Sequence, residues 1–497
     1  MLFNSIDYLI FFPIVVMIYF IVPSKAKNIW LLASSYYFYM SWNARYLLLI
    51  LFATFVTYLC GILLASVHSP GSNAFKTLDI RKIIIGCSLL LTLGLLFYFK
   101  YVNFSLNAIS QAAKILHLSF EVPAFDIILP VGISFFTFQA IGYIIDVYRK
   151  KIPAEKNFIR YALFVSFFPQ LVAGPIERSK NLLNQFKGTN SFDTDHVRVG
   201  LLTMGYGLFL KIVVADNISL VIDPLFNEPE HYAGMELLMA SILFAFQIYC
   251  DFEGYTQLAI GSARILGYRL NENFNAPYLA SSVKDFWRRW HISLTSWFRD
   301  YLYISLGGSR KGRLRKQFNT MIIFLCSGLW HGAAWHFVFW GGLNGFFSVV
   351  EDILTPLKQK VFSRLKISEN QLGYKVFQRI STFLLIDMTW IFFRVSLRSG
   401  FLILKKIFED FRLEWFLNIE YSVLFDTPRV MMIIIFSLVI ILFMDILKYT
   451  GRDAIALILK QQLLFRWFIY WFIFLFLIYW GIYGEGYEQT QFIYFQF

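Results

Sequence analysis

The sequence predicts an all-α protein that crosses a membrane many times, and three observations carry that reading. Of 497 residues, 58% are hydrophobic and only 15% are charged, whereas a soluble domain carries about 25% charged residues to wet its surface. Apolar runs close to the ~20 residues needed to span a bilayer recur along the whole chain. The polar segments between them are brief, the longest (177–197) being about 20 residues. No soluble domain fits. Inside hydrocarbon every backbone amide must be bonded within its own segment, so such runs fold as helices.

Taken in order, the apolar runs fall near 6–23, 28–42, 45–66, 82–103, 126–147, 158–176, 198–222, 234–262, 317–334, 336–355, 376–397, 428–447 and 463–484. Several are short or broken by Pro and Gly, so about 10–12 full crossings with re-entrant pieces are expected. The first run begins at Ile6, lacks a basic leader and has no small-residue cleavage site, and reads as an uncleaved span. The net charge is +13, but Lys25 and Lys27, Arg149–Lys151 and Arg310–Lys316 are short clusters between apolar runs. That pattern suits cytoplasmic loops and not a nucleic-acid surface. Lys25 and Lys27 after the first span, with Lys460 and Arg466 before the last, place both termini outside. Cys60, Cys87, Cys250 and Cys326 lie in apolar runs without C-x-x-C spacing, which argues against a disulfide framework or a cysteine metal site. The chain shows no internal repeat, which weakens an inverted-repeat transporter reading.

Two segments carry chemistry. In SSVKDFWRRWHISLTSWFRDYLYISLGG (281–308), a helical period puts Lys284, Arg288, His291, Thr295 and Arg299 on one stripe, with Phe286, Trp287, Trp290, Leu294 and Trp297 opposite. This predicts one amphipathic helix, either anchored at the interface or lining a water-filled cavity, with His291 mid-stripe. In FNTMIIFLCSGLWHGAAWHFVFWGG (318–342), His331 lies fifteen residues after Lys316. That is ~22 Å into a ~30 Å slab. An ionisable group at such depth is costly and marks function or a cavity, unless a backbone carbonyl satisfies it. His336 would lie about 140° further round the helix, a poor geometry for a metal pair, and no H-E-x-x-H pattern occurs. No metal is expected. Asp251 and Glu253 in QIYCDFEGYTQLAIG, Gln139 in LPVGISFFTFQAIGYIIDVYR, and the prolines of FFPQLVAGPIER are further polar or breaking groups at membrane depth. Each taken alone is also read as a packing feature or kink.

Together these motifs, with DFWRRWHISLTSWFRDYLYISLGG and LWHGAAWHFVFWG, resemble membrane-bound O-acyltransferases. The resemblance is to the bacterial branch that holds the alginate and peptidoglycan O-acetylation membrane subunits, and it covers the chain. It implies a ring of helices around a thinned centre, reached from both faces near two histidines. His331 then corresponds to the family's essential histidine and His291 to the second, with Trp330, Arg288, Arg289 and Asp251 as substrate-binding candidates. The sequence departs from the family pattern at Glu253 and Gln257. The C-terminal QFIYFQF (491–497) resembles the aromatic motif of the small partner in D-alanine export to teichoic acids, which makes Tyr494 a candidate acyl acceptor in an outward-facing tail, 485–497. A plain aromatic interface anchor is the other reading.

Acyl transfer from a thioester to a hydroxyl needs a base with a pKa near 7, and imidazole provides one. No G-x-S-x-G pattern appears, so direct transfer is expected over a serine acyl-enzyme. The resemblance implies acetyl-CoA as donor with no bound cofactor, a secreted SGNH-type partner, a polysaccharide acceptor and a bacterial plasma-membrane location. A transporter of a sugar or lipid-linked intermediate is the alternative, and an inactive scaffold a third.

Overall fold

The structure, a computed structural model, describes residues 1–67, 74–117, 125, 129–172, 174–365, 368–411 and 427–483. Every regular element among them is a helix. Contacts divide the chain into two units, Met1–Leu201 with Leu258–Asn271, and Leu202–Gln257 with Glu272–Phe497.

The first unit holds α1 (Ile6–Ile21), α2 (Lys27–Met40), α3 (Leu47–Ser66), α4 (Ala74–Ile115), α5 (Ile133–Tyr148), α6 (Phe158–Ser166), α7 (Phe168–Leu171), α8 (Ser179–Gln185) and the start of α9 (Thr194–Leu208). Local residues set the ends. Ser5 caps α1, its Oγ accepting from Tyr8 N at 3.2 Å, and Pro23 follows the last turn. α5 begins after Gly132, whose φ of +74° and 2.8 Å clearance between an added Cβ and Leu171 O admit only glycine.

The break between α6 and α7 explains Gln139. Phe168 N turns away to donate to Ser35 Oγ at 3.1 Å, so Phe164 O loses its helical partner. Gln170 Nε2 donates to that oxygen at 2.9 Å, and Gln139 Nε2 donates to it as well. Gln139 is thus a structural donor to a freed carbonyl, as buried irregular backbone demands. Glu177, beyond this break, accepts from Asn271 N at 2.5 Å and from Asn181 Nδ2 at 2.9 Å, and burial pushes its carboxyl up to about 7.

The second unit continues through a π-helical turn (Phe209–Ala215), α10 (Asp216–Asn227), α11 (Gly234–Ile265), α12 (Val283–Arg289), α13 (Ile292–Trp297) and a second π-helical turn (Phe298–Tyr303). It then runs through α14 (Arg313–His331), α15 (Trp335–Leu365), α16 (Leu372–Arg394), α17 (Leu397–Glu409), α18 (Pro428–Tyr449), α19 (Ala454–Leu459) and α20 (Leu463–Trp480).

Among the described residues, eight helices are long and apolar enough to cross a membrane, against the 10–12 expected. Of the remaining apolar runs, the one over 158–176 is broken between α6 and α7. α1 and α5, at 16 residues each, reach only ~24 Å.

The sequence expectation of one helix over 281–308 is corrected. The segment is α12, a break at Trp290–His291, α13 and a π-helical turn. Ser282 starts it, its Oγ accepting from Asp285 N at 3.1 Å. His291 then adopts φ +43°, ψ +54°, which ends the helical period.

α14 and α15 form a hairpin whose backbones touch. A Cβ added to Gly341 would lie 2.3 Å from Phe324 O, and one added to Gly328 would lie 2.3 Å from Phe337 O. Only hydrogen fits. Gly341→Val is expected to cost about 3 kcal/mol or more through forced separation of the helices. Gly342→Ala, whose Cβ meets only Leu325 at 3.6 Å, is expected to be neutral. Thermal unfolding of the two purified variants checks this, and equal midpoints would refute the close-crossing account.

Candidate functional site

The chemistry gathers in the second unit around α11, whose consecutive residues Asp251, Phe252 and Glu253 each serve a different partner. Asp251 Oδ1 takes Lys211 Nζ at 2.7 Å, and Lys211 also reaches Asp216 Oδ1 at 2.9 Å. All three side chains are at most 5% exposed. Glu253 faces Lys448 Nζ at 3.4 Å, and that ammonium also meets Glu272 at 2.5 Å. Gln257 Nε2 donates to Glu253 Oε1 at 2.8 Å. The two positions that depart from the family pattern are therefore bonded to each other. Between them, Phe252 lays its ring edge-on to His291, with centroids 4.7 Å apart.

His291 is fixed from its other side by Asn273. Two main-chain hydrogen bonds tie the segments together, Asn275 N to Arg289 O at 3.0 Å and Ile292 N to Asn273 O at 2.8 Å. Asn273 Oδ1 accepts from Ser293 N at 3.2 Å and lies 3.3 Å from His291 Nδ1. An oxygen that accepts a backbone N–H has only lone pairs to offer the ring. Nδ1 must then carry the proton, and Nε2 presents a lone pair. Burial drives the His291 pKa down to about 3, so the ring is neutral. Left-handed backbone at a non-glycine residue costs roughly 1–3 kcal/mol and concentrates at functional sites. Ala276 (φ +46°) and His291 (φ +43°) both adopt it here.

His331 ends α14. It is 4% exposed, and its ring centroid lies 6.5 Å from that of His291. Trp330 lies against both imidazoles, 5.7 Å from His291 and 5.0 Å from His331. Trp340 and Phe393 stand edge-on to His331 at 5.1 and 5.3 Å. Behind them Trp290 packs on Trp390 at 4.9 Å, and Trp287 donates its Nε1–H to Asn344 Oδ1 at 3.2 Å. The pair thus sits in an aromatic surround that excludes water and strengthens any electrostatic contact inside it.

The structure brings His291, His331 and Trp330 together. It gives Asp251 a buried counter-ion in Lys211. Arg288 is exposed and directed to Asp285 at 3.5 Å. Arg289 bonds Asp285 at 3.0 Å and lies over the Tyr449 ring at 4.8 Å. Tyr494 and the rest of the 485–497 tail lie outside the described residues. His336 Nδ1 faces Phe392 O at 3.0 Å. Sequence reading missed Asn273. Its signal was the asparagine-rich NENFNAP (271–277) before Pro277, a turn composition and not a periodic one.

The model of the membrane-bound O-acyltransferase family matches residues 150–393, which include both histidines. The "Probable alginate O-acetylase AlgI" of Azotobacter vinelandii is 35% identical, over 80% of this chain and 75% of its own. The chain belongs to the membrane-bound O-acyltransferase family. The "Peptidoglycan O-acetyltransferase" of Helicobacter pylori is likewise 35% identical, over 80% of this chain and 77% of its own. The "Teichoic acid D-alanyltransferase" of Bacillus subtilis is 28% identical, over 44% of this chain and 58% of its own. This membrane-bound O-acyltransferase is a multi-pass membrane enzyme that transfers an acyl group to a hydroxyl.

Proposed function

We propose that the enzyme takes an acetyl group from acetyl-CoA on the cytosolic side and delivers it for O-acetylation of an extracytoplasmic polysaccharide in a bacterial plasma membrane, through a secreted SGNH-type partner. The observation that carries this is the histidine pair 6.5 Å apart in its aromatic surround, in a chain more closely matched by O-acetyl than by D-alanyl enzymes.

The roles follow from the two rings. A base works best with a pKa near the working pH, and a ring held at about 3 takes a proton poorly. We assign the general-base role to His331, which ends α14 against Trp330 and beside His291. It removes the acceptor hydroxyl proton as oxygen attacks the thioester carbonyl. The tetrahedral intermediate collapses with C–S cleavage, and the departing thiolate takes the proton back. His291 uses its Nε2 lone pair to orient the hydroxyl, and Trp330 packs against the acyl group. The test is O-acetyl content of envelope polysaccharide with and without the protein. Equal content overturns the proposal.

Asn273→Asp keeps both hydrogen bonds but sets a charge beside Nδ1–H. An opposite charge within ~4–6 Å favours the imidazolium, so an acid limb absent from the parent should appear between about pH 5 and 7 in kcat/KM. Superimposable pH profiles would contradict the assigned proton position.

A further inference from the structure

We propose that the first unit carries a binding site for an anionic phospholipid where the ends of α3, α4 and α5 meet. A cavity of about 650 Å³ opens there, within the roughly 300–1,000 Å³ range of ligand clefts. Its floor is apolar, formed by Ile62, Leu64, Val147 and Ile152, and its rim is basic, formed by Lys150, Lys151 and Lys156. Such a combination matches a lipid, with acyl chain below and phosphodiester above.

Charge bookkeeping gives the sign of the ligand. Arg81, which also lines the cavity, is 6% exposed. Its Nη1 donates to Leu64 O at 2.7 Å and its Nη2 to Tyr148 O at 2.8 Å, and Tyr148 lays its ring 5.6 Å from Cζ. Those are neutral partners. The neighbouring carboxylates each face another cation: Asp146 faces Lys151 of the rim at 3.8 Å, Glu155 faces Arg160 at 3.2 Å, and Asp79 faces Lys82 at 3.5 Å. Among the described residues Arg81, Lys150 and Lys156 have no carboxylate within ion-pair distance. A buried guanidinium without a counter-ion is expensive, and an anion in the cavity would supply one.

Lys150 adds an independent observation. It follows α5 with φ +60°, while Lys151 N reaches back to Asp146 O at 2.9 Å. This is a Schellman-type end, where glycine is preferred because it adopts the left-handed region without strain. A lysine there carries a conformational cost that glycine would remove. Its exposed ammonium at the cavity rim gives the position a use.

The test is thermal unfolding of the purified full chain in nanodiscs of phosphatidylcholine alone or with phosphatidylglycerol. A lipid that binds only the folded state raises the midpoint, so phosphatidylglycerol should add a few degrees to the parent. Lys150→Gly should keep or raise the midpoint in phosphatidylcholine and lose most of the phosphatidylglycerol increment. Lys405→Gln, an exposed lysine of α17, should retain that increment. Equal midpoints in the two lipids, an undiminished increment in Lys150→Gly, or equal loss in Lys405→Gln would each overturn the site. Inorganic phosphate giving the same increment in detergent would overturn its assignment to a lipid.

Discussion

His331→Ala should lower acyl transfer by roughly 10²–10⁴-fold, the usual worth of a positioned acid–base group, while the protein still inserts and folds. The residue ends α14, and its side chain is packed by aromatic rings. It is one ring among Trp330, Trp340 and Phe393, so its loss removes chemistry before it removes structure. The variant should bind donor and fail in turnover, giving a fall in kcat with little change in KM. His291→Ala should affect both constants, because it also frees the Asn273–Ser293 anchor. Full transfer by His331→Ala, measured as O-acetyl content or as CoA release from acetyl-CoA, would remove it from the mechanism.

Lys211→Met should nearly abolish recovery of folded protein. The substitution leaves Asp216 and Asp251 facing one another, both at most 5% exposed. Removing one partner of a buried ionic group costs about 3–5 kcal/mol, a large share of the 5–15 kcal/mol that holds a typical fold together. Adding Asp216→Asn and Asp251→Asn should restore much of the yield, since neutral amides relieve the uncompensated charge. Monodisperse size-exclusion profiles and unfolding midpoints read this directly. A single Lys211→Met variant with the parent's yield and midpoint would contradict it. Acidity acts on stability through His291: its folded pKa is about 3 against an ordinary 6.5. The unfolded chain binds more protons in that window, so this residue's contribution makes stability fall as pH drops from 6.5 towards 3.

Hydropathy located the eight long helices because a membrane span is a property of composition over ~20 residues. The two histidines stood out as candidates, His331 by its depth after Lys316 and His291 by its place in the middle of a polar stripe, and the structure sets their rings 6.5 Å apart. The segment around His291 was misread because a polar stripe presumes one unbroken period. One residue at φ +43° ends that period and leaves no trace in the order of polar and apolar residues. Asn273 was invisible for a related reason. It is eighteen residues from His291, and the paired backbone hydrogen bonds of Asn273 and Asn275 help bring it there. Lys211 sits in an apolar run, and nothing local announces that Asp251, forty residues on, will neutralise it.

The tryptophans around the histidine pair make the protein its own reporter. Trp330 touches both imidazoles, Trp340 stands against His331, and Trp287, Trp290 and Trp390 complete the surround. Indole emission depends on the polarity of its surroundings. A thioester entering this dry enclosure, or a proton settling on His331, should therefore alter the fluorescence of the unlabelled enzyme. A titration with a non-hydrolysable acetyl-CoA analogue should produce a saturable change that shrinks when Trp330 is replaced by Phe, so that occupancy of the site is followed by light that the chain itself emits.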